Sequence, residues 1–342
     1  PRPILAITGT DGKTTTTELT VAILRAAGVR TAALGNTDVP MVDAVDATGD
    51  DELDAFVVEC TSFRLAWTRL FRADAAVWLN LAPDHLNWHT SMASYEAAKA
   101  RIWDLQRPSD AAIGFVDDEV VMRRLAAAPG RHVTFGAAGA DYHAADGHLV
   151  GPHGPIARIA SMRRSLPHDV TNALAASALV LETGLAGPDA IASALASFRP
   201  PRHRLEPVGE AGGVTYYNDS KATTPHAASV AIRAFDSLVL IAGGSRKGVD
   251  LSPMGAAAER VRAVVAIGEA APDIHDVFDG LTQVADAHSM AAAVATAASL
   301  AQPGDAVVLS PGCASFDWYT GYPVRGDRSE EHTSELQSRS VI

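Results

Sequence analysis

The sequence predicts an α/β fold with two units, each built on a mostly parallel sheet. Short apolar runs that meet turns alternate with segments of helical periodicity, which is the pattern of βα units. The run Arg199-Pro200-Pro201-Arg202 divides the chain, because consecutive prolines stop both a helix and a central strand. The length of 342 residues agrees with two domains of about 150 residues each.

The first unit begins with a strand from Pro3 to Thr8 and a helix from Lys13 to Ala27. The helix carries apolar residues at helical spacing and stops at Gly28, a typical C-cap residue. Further short apolar runs are typical of strands that are buried on both faces of a parallel sheet. These runs are Arg30 to Leu34, Ala55 to Cys60 and Ala75 to Leu79.

From Arg131 to Pro167 the chain is rich in Gly, His and Pro, which predicts a small antiparallel excursion or a surface hairpin. Helices are predicted from Asp169 to Leu181 and from Asp189 to Ser197. Beyond the Pro-rich run the alternation resumes, so the second unit is expected to be an independent doubly wound domain. Its predicted elements are strands Val214 to Asn218, Leu238 to Ala242, Ala263 to Ile267 and Ala306 to Leu309, and a helix that ends at Phe235.

The segment from Ser329 onward (SEEHTSELQSRSVI) differs from the rest, because an Ala- and Arg-rich chain becomes rich in Ser, Glu and Gln. We therefore expect residues 329–342 to be a non-native or disordered tail, and they take no part in the fold prediction. The expected domains are residues 1–199 and 200–328.

The composition narrows the class of protein. Lys and Arg number 28 and Asp and Glu number 40, which gives a formal charge of −12 and argues against a nucleic-acid or membrane-surface binder. No apolar run approaches the roughly 20 residues that a membrane span needs. The two cysteines, Cys60 and Cys313, cannot form a disulfide framework, which favours a reducing cytoplasm.

An octapeptide between the first strand and its helix predicts a phosphate site. In Thr8-Gly9-Thr10-Asp11-Gly12-Lys13-Thr14-Thr15 the glycines allow backbone N–H groups to converge on a phosphate at the helix N-terminus. Lys13 would neutralise the outer phosphates, and the Thr14 hydroxyl can bind Mg²⁺. The strict P-loop spacing requires Gly where this chain has Ile7, but strand, loop, Gly-Lys-Thr and helix follow in the required order. An ordinary strand-to-helix turn with an exposed lysine is the alternative.

Two more groups follow predicted strands of the first unit. Glu59 ends the apolar run AFVVE, at the sheet edge where open α/β folds place ligands, and its carboxylate can hold Mg²⁺ opposite Thr14. His85 and His89 in NLAPDHLNWH have the spacing of a zinc helix, but the Glu of the zinc-protease motif is absent. A position of His85 near phosphate or Mg²⁺ is better supported. By contrast, the residues around Lys99 predict only a solvated helix lysine.

In the second unit, three predicted strands end in polar or Gly-rich segments. They are Asn218 to Lys221, Gly243 to Gly248 and Ser310 to Ser315. Lys, Asp, Ser and Gly at neighbouring strand ends are expected for an anionic ligand. Any one of these segments could be an ordinary loop, whereas three together favour a site. Cys313 has no partner that would make it a nucleophile, so it is interpreted as a small buried residue.

Together these segments resemble the Mur ligase family from Ile4 to about Arg328. The matching segments are ITGTDGKTTT, LGNTDVP, VECTSFRL, NLAPDHLNWH, YEAAKARI, LPHDVTNALAA, PRHRLEPV, YNDSKATT, IAGGSRKG and LSPGCASFD. The first is shared by all Mur ligases and by folylpolyglutamate synthases. NDSKAT and SPxCASFD are typical of the members that add D-glutamate.

The resemblance implies an ATP-dependent amide-bond-forming ligase of cytoplasmic peptidoglycan precursor synthesis. Its substrates would be UDP-N-acetylmuramoyl-L-alanine and D-glutamate, joined through an acyl phosphate. The fold implied is a central P-loop ATPase domain followed by a C-terminal Rossmann-like domain. The family's N-terminal uridine-binding domain would have no counterpart here, and a monomer is the expected state.

The resemblance also assigns site residues by position. Thr14 and Glu59 match ligands of one Mg²⁺; His85 and Lys99 match supports of a second, with Lys99 carbamylated. The ATP-binding set would be Gly9, Thr10, Asp11, Gly12, Lys13, Thr14, Thr15, Asn172, His203, Arg204 and Asp219. The substrate-side set would be Asn36 and Thr61 for the muramoyl substrate, and Lys221, Thr223, Lys247, Ser315 and Tyr322 for D-glutamate.

Two alternatives stay open at this point. One is a ligase like the folylpolyglutamate synthases, against which the NDSKAT segment counts. The other is a nucleotide-binding module that does not turn over. The catalytic residues of the favoured interpretation are Lys13, Glu59, His85 and Lys99.

Overall fold

The computed structural model describes residues 2–37, 39–46, 52–86, 88–246 and 248–339. The chain divides into two units, Pro1–Arg199 and Pro200–Ile342, and each is described by itself.

The first unit contains a nine-stranded sheet with the order β2-β3-β1-β4-β5-β6-β7-β8-β9. All neighbouring pairs from β2 to β7 are parallel, while β7, β8 and β9 form an antiparallel meander that confirms the predicted excursion. The strands are β1 (Ile4–Thr8), β2 (Thr31–Gly35), β3 (Ala55–Glu59), β4 (Ala75–Trp78), β5 (Ala111–Phe115), β6 (Arg131–Gly136), β7 (Tyr142–Ala145), β8 (His148–Gly151) and β9 (Gly154–Arg158).

Helices cover the sheet of the first unit. They are α1 (Lys13–Ala26), α2 (Met41–Asp46), α3 (Ser62–Trp67), α4 (Met92–Ala100), α5 (Glu119–Leu125), α6 (Pro167–Glu182) and α7 (Pro188–Ser197). Alternate residues of β1 enter different cores, because successive side chains of a strand point to opposite faces. Leu5 and Ile7 pack in the layer that contains residues of α1, α6 and α7, whereas Ala6 packs on the other face with Trp78 and Trp103. Apolar layers on both faces explain why β1, β3 and β4 are almost continuous apolar runs.

The second unit contains a six-stranded sheet with the order β10-β11-β15-β12-β13-β14. The strands are β10 (Glu206–Ala211), β11 (Val214–Asn218), β12 (Leu238–Gly243), β13 (Val261–Ile267), β14 (Gln283–Ala287) and β15 (Ala306–Leu309). In the described part of this unit, β10 alone is antiparallel to its neighbour, and the other pairs are parallel. The helices are α8 (Pro225–Arg233), α9 (Ala271–Phe278), α10 (Met290–Leu300) and α11 (Tyr322–Arg339), and a 3-10 segment spans Ser252–Arg260.

The last helix differs from the disordered tail expected from residue 329. Helix α11 runs without a break to Arg339, with Ser329 and Thr333 buried and Leu336 packed against the core of the second unit. These three residues are spaced four and three positions apart, so they share one face of the helix. The described part of the tail therefore has an amphipathic spacing that its polar composition concealed.

The described residues include no helix that is long and apolar enough to cross a membrane.

Candidate active site

The octapeptide forms a loop that leads into the N-terminus of α1. Gly12 occupies the N-cap position with φ 84°, a left-handed conformation that favours glycine, and no side chain caps the helix. A Cβ atom at Gly12 would lie 2.7 Å from Oδ1 of Asn172 on α6. The same Oδ1 accepts a hydrogen bond of 3.3 Å from the Thr16 hydroxyl. Uncapped N–H groups in a first helical turn are suited to a phosphate, so this geometry fits the predicted nucleotide.

Asn80, which follows β4, holds the loop in place. Its Oδ1 accepts hydrogen bonds from the N–H groups of Thr10 and Asp11, both at 2.9 Å, and its Nδ2 donates to the Asp11 carbonyl at 3.2 Å. The Thr10 hydroxyl donates to the Ala82 carbonyl and accepts from the Ala82 N–H. The segment after β4 thus fixes the phosphate loop through side-chain and main-chain contacts.

Lys13 and Lys99 converge on one backbone oxygen. The Nζ of Lys13 donates to the carbonyls of Gly9 at 2.9 Å and Thr10 at 2.7 Å, and the Nζ of Lys99 donates to the same Gly9 carbonyl at 2.6 Å. Residues separated by 90 positions are therefore neighbours at the phosphate loop.

Lys99 is a buried lysine rather than the solvated helix residue that its surroundings in the sequence suggest. It lies on α4 with 1% of its surface exposed, and its Nζ is 4.6 Å from the centre of the Tyr95 ring. Burial, and secondly the charge of Lys13, hold the pKa of Lys99 well below its usual value. The Tyr95 hydroxyl lies 3.2 Å from the Thr10 hydroxyl. The expectation from local sequence is wrong because α4 turns this face toward the loop.

Glu59 ends β3, next to β1 in the sheet, and is 2% exposed. The Asn36 side chain donates to its Oε1 at 3.1 Å, while its buried Oε2 has no hydrogen-bond partner in the described part of the chain. A buried carboxylate oxygen of this kind is costly unless it meets a cation or a donor. Oxygen is the donor atom that Mg²⁺ prefers, so Glu59 fits the predicted metal. Thr14 lies half-buried in the first turn of α1, and Thr61 caps α3 by accepting from the Arg64 N–H.

His85 lies in the loop after β4 with φ 54°, and its Nε2 is 3.2 Å from Oδ2 of Asp84. His89 is buried and hydrogen-bonds to Ser62. Burial, followed by the charges of His85 and Lys99, lowers the pKa of His89. Within the described ranges, the one group of three metal-binding side chains with converging ligand atoms is His203, Glu206 and Glu330 in the second unit. The two histidines of the zinc alternative therefore belong to no such group.

In the second unit, strands β11, β15 and β12 are adjacent and parallel, so their carboxyl ends meet at one edge. Asp219 accepts hydrogen bonds from the Leu205 N–H at 3.1 Å and from the Ser310 hydroxyl at 2.7 Å. The Gly312 N–H donates to the Ala222 carbonyl at 3.0 Å, which joins the ends of β11 and β15 directly. The N–H groups of Gly243 and Ser245 donate to the carbonyls of Pro311 and Ala314, so the end of β12 also contacts the end of β15. The three polar strand ends are therefore neighbours, and most of their residues are buried.

The residues of this unit that are assigned to D-glutamate lie at or near these strand ends. The Nζ of Lys221 is 5.6 Å from the centre of the Tyr322 ring, and that ring is 6.0 Å from the ring of His203. The Thr223 N–H donates to the Lys221 carbonyl, and the Ser315 carbonyl accepts from the N–H groups of two residues that follow it. Arg204 is half-buried between His203 and Leu205. Lys247 lies outside the described residues.

Two residues of the sites carry no signal in the sequence. Asn80 begins the segment that carries His85 and His89, and only the fold shows that its amide holds the loop. Arg325 is 1% exposed on α11 and donates to Ser220 and to the carbonyls of Cys313 and Ala314. An arginine in a polar helix does not predict such burial.

Comparison with known proteins identifies the class. Residues 7–180 match the Mur ligase middle domain, and residues 203–313 match the Mur ligase, glutamate ligase domain. The chain therefore belongs to the Mur ligase family, and it is an ATP-dependent ligase of peptidoglycan precursor synthesis. The predicted fold class, a P-loop ATPase domain followed by a Rossmann-like α/β domain, is confirmed.

Two relatives and one solved structure illustrate the extent of the similarity. UDP-N-acetylmuramoylalanine--D-glutamate ligase of Frankia casuarinae is 43% identical over 335 residues, covering 94% of this chain and 70% of that protein. The enzyme of the same name from Streptomyces coelicolor is 39% identical over 370 residues, covering 98% of this chain and 76% of that protein. A crystal structure of MurF from Acinetobacter baumannii superposes with a TM-score of 0.72 at 22% identity, covering 98% of this chain and 76% of that one, and supports the fold alone.

Proposed function

We propose that this chain adds D-glutamate to the carboxylate of UDP-N-acetylmuramoyl-L-alanine at the expense of ATP. The observation that carries the proposal is the 43% identity to a ligase named for this D-glutamate addition. The two sheet edges support it, because one presents a phosphate loop with two lysines and a buried carboxylate. The other presents lysine, hydroxyl and backbone N–H groups, which suit the carboxylates of D-glutamate.

The proposed chemistry starts from the poor electrophilicity of a carboxylate. Its oxygen takes the γ-phosphoryl group of ATP to form an acyl phosphate, with ADP as the leaving group. The amine of D-glutamate then attacks the acyl carbon, phosphate leaves, and the amine loses a proton as the amide forms. When bound, Mg²⁺ supplies positive charge that stabilises the phosphoryl oxygens in the loose transition state.

In this proposal the residues of the first unit bind the phosphates, the Mg²⁺ ions and the muramoyl substrate. Lys13 neutralises the outer phosphates, and the N–H groups at the start of α1 bind them. Thr14 and Glu59 hold one Mg²⁺, and His85 lies beside a second. Asn36 and Thr61 contact the muramoyl substrate. The ATP-binding residues of this unit are Gly9, Thr10, Asp11, Gly12, Thr15 and Asn172. The proposal also assigns His203, Arg204 and Asp219 of the second unit to ATP.

The residues of the second unit take the amino-acid substrate in this proposal. Lys221, Thr223, Ser315, Tyr322 and Lys247 are assigned to D-glutamate. A cytoplasmic location is part of the same proposal, because the substrate is a nucleotide-linked precursor, and Cys60 and Cys313 are buried thiols. A monomer is expected, which analytical ultracentrifugation checks.

Carbamylation of Lys99 is the second part of the proposal. A neutral amine can attack carbon dioxide, form an N–C bond and release one proton, and burial beside Lys13 favours the neutral amine of Lys99. The product is an anion, so it attracts the neighbouring Lys13, whereas a protonated Lys99 would be repelled by it. The carbamate would also add an oxygen donor of the kind Mg²⁺ prefers.

The test of carbamylation uses Lys99→Ala. We expect turnover to fall about 100-fold or more and to return in part when short carboxylates such as acetate are added, because they can replace the missing anion. In the parent chain, which keeps Lys99, ¹³C NMR with labelled bicarbonate should show a carbamate signal that is absent from the Lys99→Ala variant. A variant that no carboxylate rescues, together with no carbamate signal, would contradict this assignment.

The test of the overall function is phosphate release from ATP with defined acceptors. We expect release only when both UDP-N-acetylmuramoyl-L-alanine and D-glutamate are present, with L-glutamate as the matched control. Release that depends on a pteroylglutamate would instead support a folylpolyglutamate-type ligase. ATP binding without release under any of these conditions would support a module that does not turn over.

A further inference from the structure

A buried hydrogen bond joins two loops of the first unit at the carboxyl edge of its sheet. The Nε2 atom of His89 lies 2.8 Å from the Oγ of Ser62. His89 is 4% exposed and Ser62 is 1% exposed, so water cannot easily replace either partner. Ser62 is the first residue of α3 and follows closely after Glu59, while His89 lies in the loop between β4 and α4.

His89 also closes the turn that carries His85. The N–H groups of Trp88 and His89 both donate to the His85 carbonyl, at 3.0 and 2.9 Å. His85 itself has φ 54°, a left-handed conformation that residues other than glycine rarely adopt. Such a conformation persists only where the surroundings impose it. The conformation of His85 therefore depends on the turn that His89 completes.

Three aromatic rings enclose the imidazole of His89. Phe63 stacks on it with a centroid distance of 5.8 Å and an interplanar angle of 12°, and Trp88 and Tyr95 lie at 4.5 and 5.0 Å. The Phe63 ring also contacts the ring of His85, at 4.7 Å. Phe63 lies beside Ser62 on α3, so both contacts connect the same two loops. A ring held on several sides and fixed by one hydrogen bond has a single orientation.

We propose that the His89–Ser62 pair is a positioning latch that fixes His85 relative to Glu59. The proposal rests on the proposed function, in which Glu59 and His85 belong to the Mg²⁺ sites. His89 is a positioning residue, since it acts on the reaction through the turn of His85 and through α3. Together with the contacts of the Phe63 ring, the latch sets the separation of the segments that follow β3 and β4.

The first measurement is metal binding, with Mn²⁺ as the probe. Mn²⁺ is titrated into the whole chain in the presence of ADP and followed by electron paramagnetic resonance. Ser62→Ala and His89→Phe should each weaken Mn²⁺ binding about fivefold, the effect expected from one lost hydrogen bond. The double variant should be no weaker than either single variant, because both remove the same contact.

Two further variants separate positioning from general stability. His89→Gln places an amide where it can meet the Ser62 hydroxyl, and it should restore Mn²⁺ binding to within about twofold of the parent chain. Thr31→Val removes another buried hydroxyl, which donates to the Ala55 carbonyl at 2.9 Å near the opposite end of the sheet. It should lower the melting temperature and leave the Mn²⁺ titration unchanged.

The outcomes distinguish failure of the latch from failure of the metal assignment. If the Glu59→Gln variant binds Mn²⁺ as tightly as the parent chain, both the proposed metal site and the latch are overturned. If Glu59→Gln loses binding while Ser62→Ala and His89→Phe bind normally, only the latch is overturned. Equal losses of Mn²⁺ affinity in Thr31→Val and Ser62→Ala would also overturn it.

Discussion

At the scale of single residues, Lys99 shows how burial changes an interpretation. Its neighbours along the helix are those of a solvated lysine, yet its amine is buried and donates to the Gly9 carbonyl. No local pattern records that contact, because the partners are 90 positions apart. The resemblance of the YEAAKARI segment to a family motif indicates a role for this position, whereas its local sequence does not. The structure adds the physical reason, which is a second amine at the same carbonyl.

The charge of Lys13 at the phosphate loop can be tested by a single substitution. Lys13→Ala should lower kcat about 100- to 1000-fold. The substitution removes a positive charge that stabilises the transition state, in which negative charge develops on the phosphoryl oxygens. Steady-state phosphate release measures the effect. Arg25→Ala is the control, because Arg25 lies at the other end of α1 and donates to the Thr31 carbonyl. A Lys13→Ala chain that turns over at the parental rate would contradict the P-loop assignment.

At the scale of elements, the strand–loop–helix order around the octapeptide was predictable. The apolar run before Gly9 and the helical spacing after Gly12 are local properties, and β1 and α1 lie where they indicate. The clamp by Asn80 was not predictable, because it depends on β4 lying beside β1 in the sheet. Strand order is a property of the whole sheet, and short apolar runs alone do not specify it.

The hydrogen bonds from Asn80 to the phosphate loop can be tested by substitution. Asn80→Ala removes three side-chain hydrogen bonds to the loop backbone, so the loop should lose its preorganised shape. We expect the KM for ATP to rise about 100-fold, at roughly 1 kcal/mol for each of the three bonds, with a smaller change in kcat. ATP titrations at saturating acceptor give both constants.

The control for this prediction is Gln106→Ala. Gln106 is also buried, and its amide donates to the carbonyls of Ala73 and Ala111 away from the phosphate loop. Its loss should lower the melting temperature without changing the KM for ATP. An equal rise of KM in both variants would mean that Asn80 acts only through general stability.

At the scale of the whole molecule, the formal net charge of −12 contrasts with the anionic ligands of the protein. An acidic chain that handles a triphosphate and several carboxylates must concentrate its cations where the ligands bind. Lys13, Lys99 and Lys221 all lie at the carboxyl edges of the two sheets. Composition excluded a general polyanion binder but could not show this concentration, because the topology decides which strand ends become neighbours.

Asp305 links global stability to pH. Burial acts to raise its pKa, but hydrogen bonds from Arg262, Ser237 and the Gln302 N–H outweigh burial and lower the pKa to about 2. Because the folded-state pKa is depressed, the stabilisation is present above the unfolded value of 3.8 and is lost as pH falls toward about 2.

Asp305→Asn should therefore reduce the free energy of unfolding by about 2 kcal/mol at pH 7, and by much less near pH 2. Urea denaturation at both pH values, followed by circular dichroism, measures the difference. Asp236→Asn is the control, since Asp236 is an exposed carboxylate in the same unit. A deficit for Asp305→Asn that stays constant down to pH 2 would contradict the depressed pKa.

The glycine at the start of α1 bears on how such a chain can evolve. A side chain at position 12 meets the Asn172 amide at 2.7 Å and the Leu79 methyl group at 3.2 Å, and it must also adopt φ 84°. A smaller residue at position 172 would remove one obstacle and leave the other two. Any single substitution of Gly12 therefore meets two side-chain contacts and a strained backbone conformation at once, so we expect sequence change in this loop at positions other than the glycine.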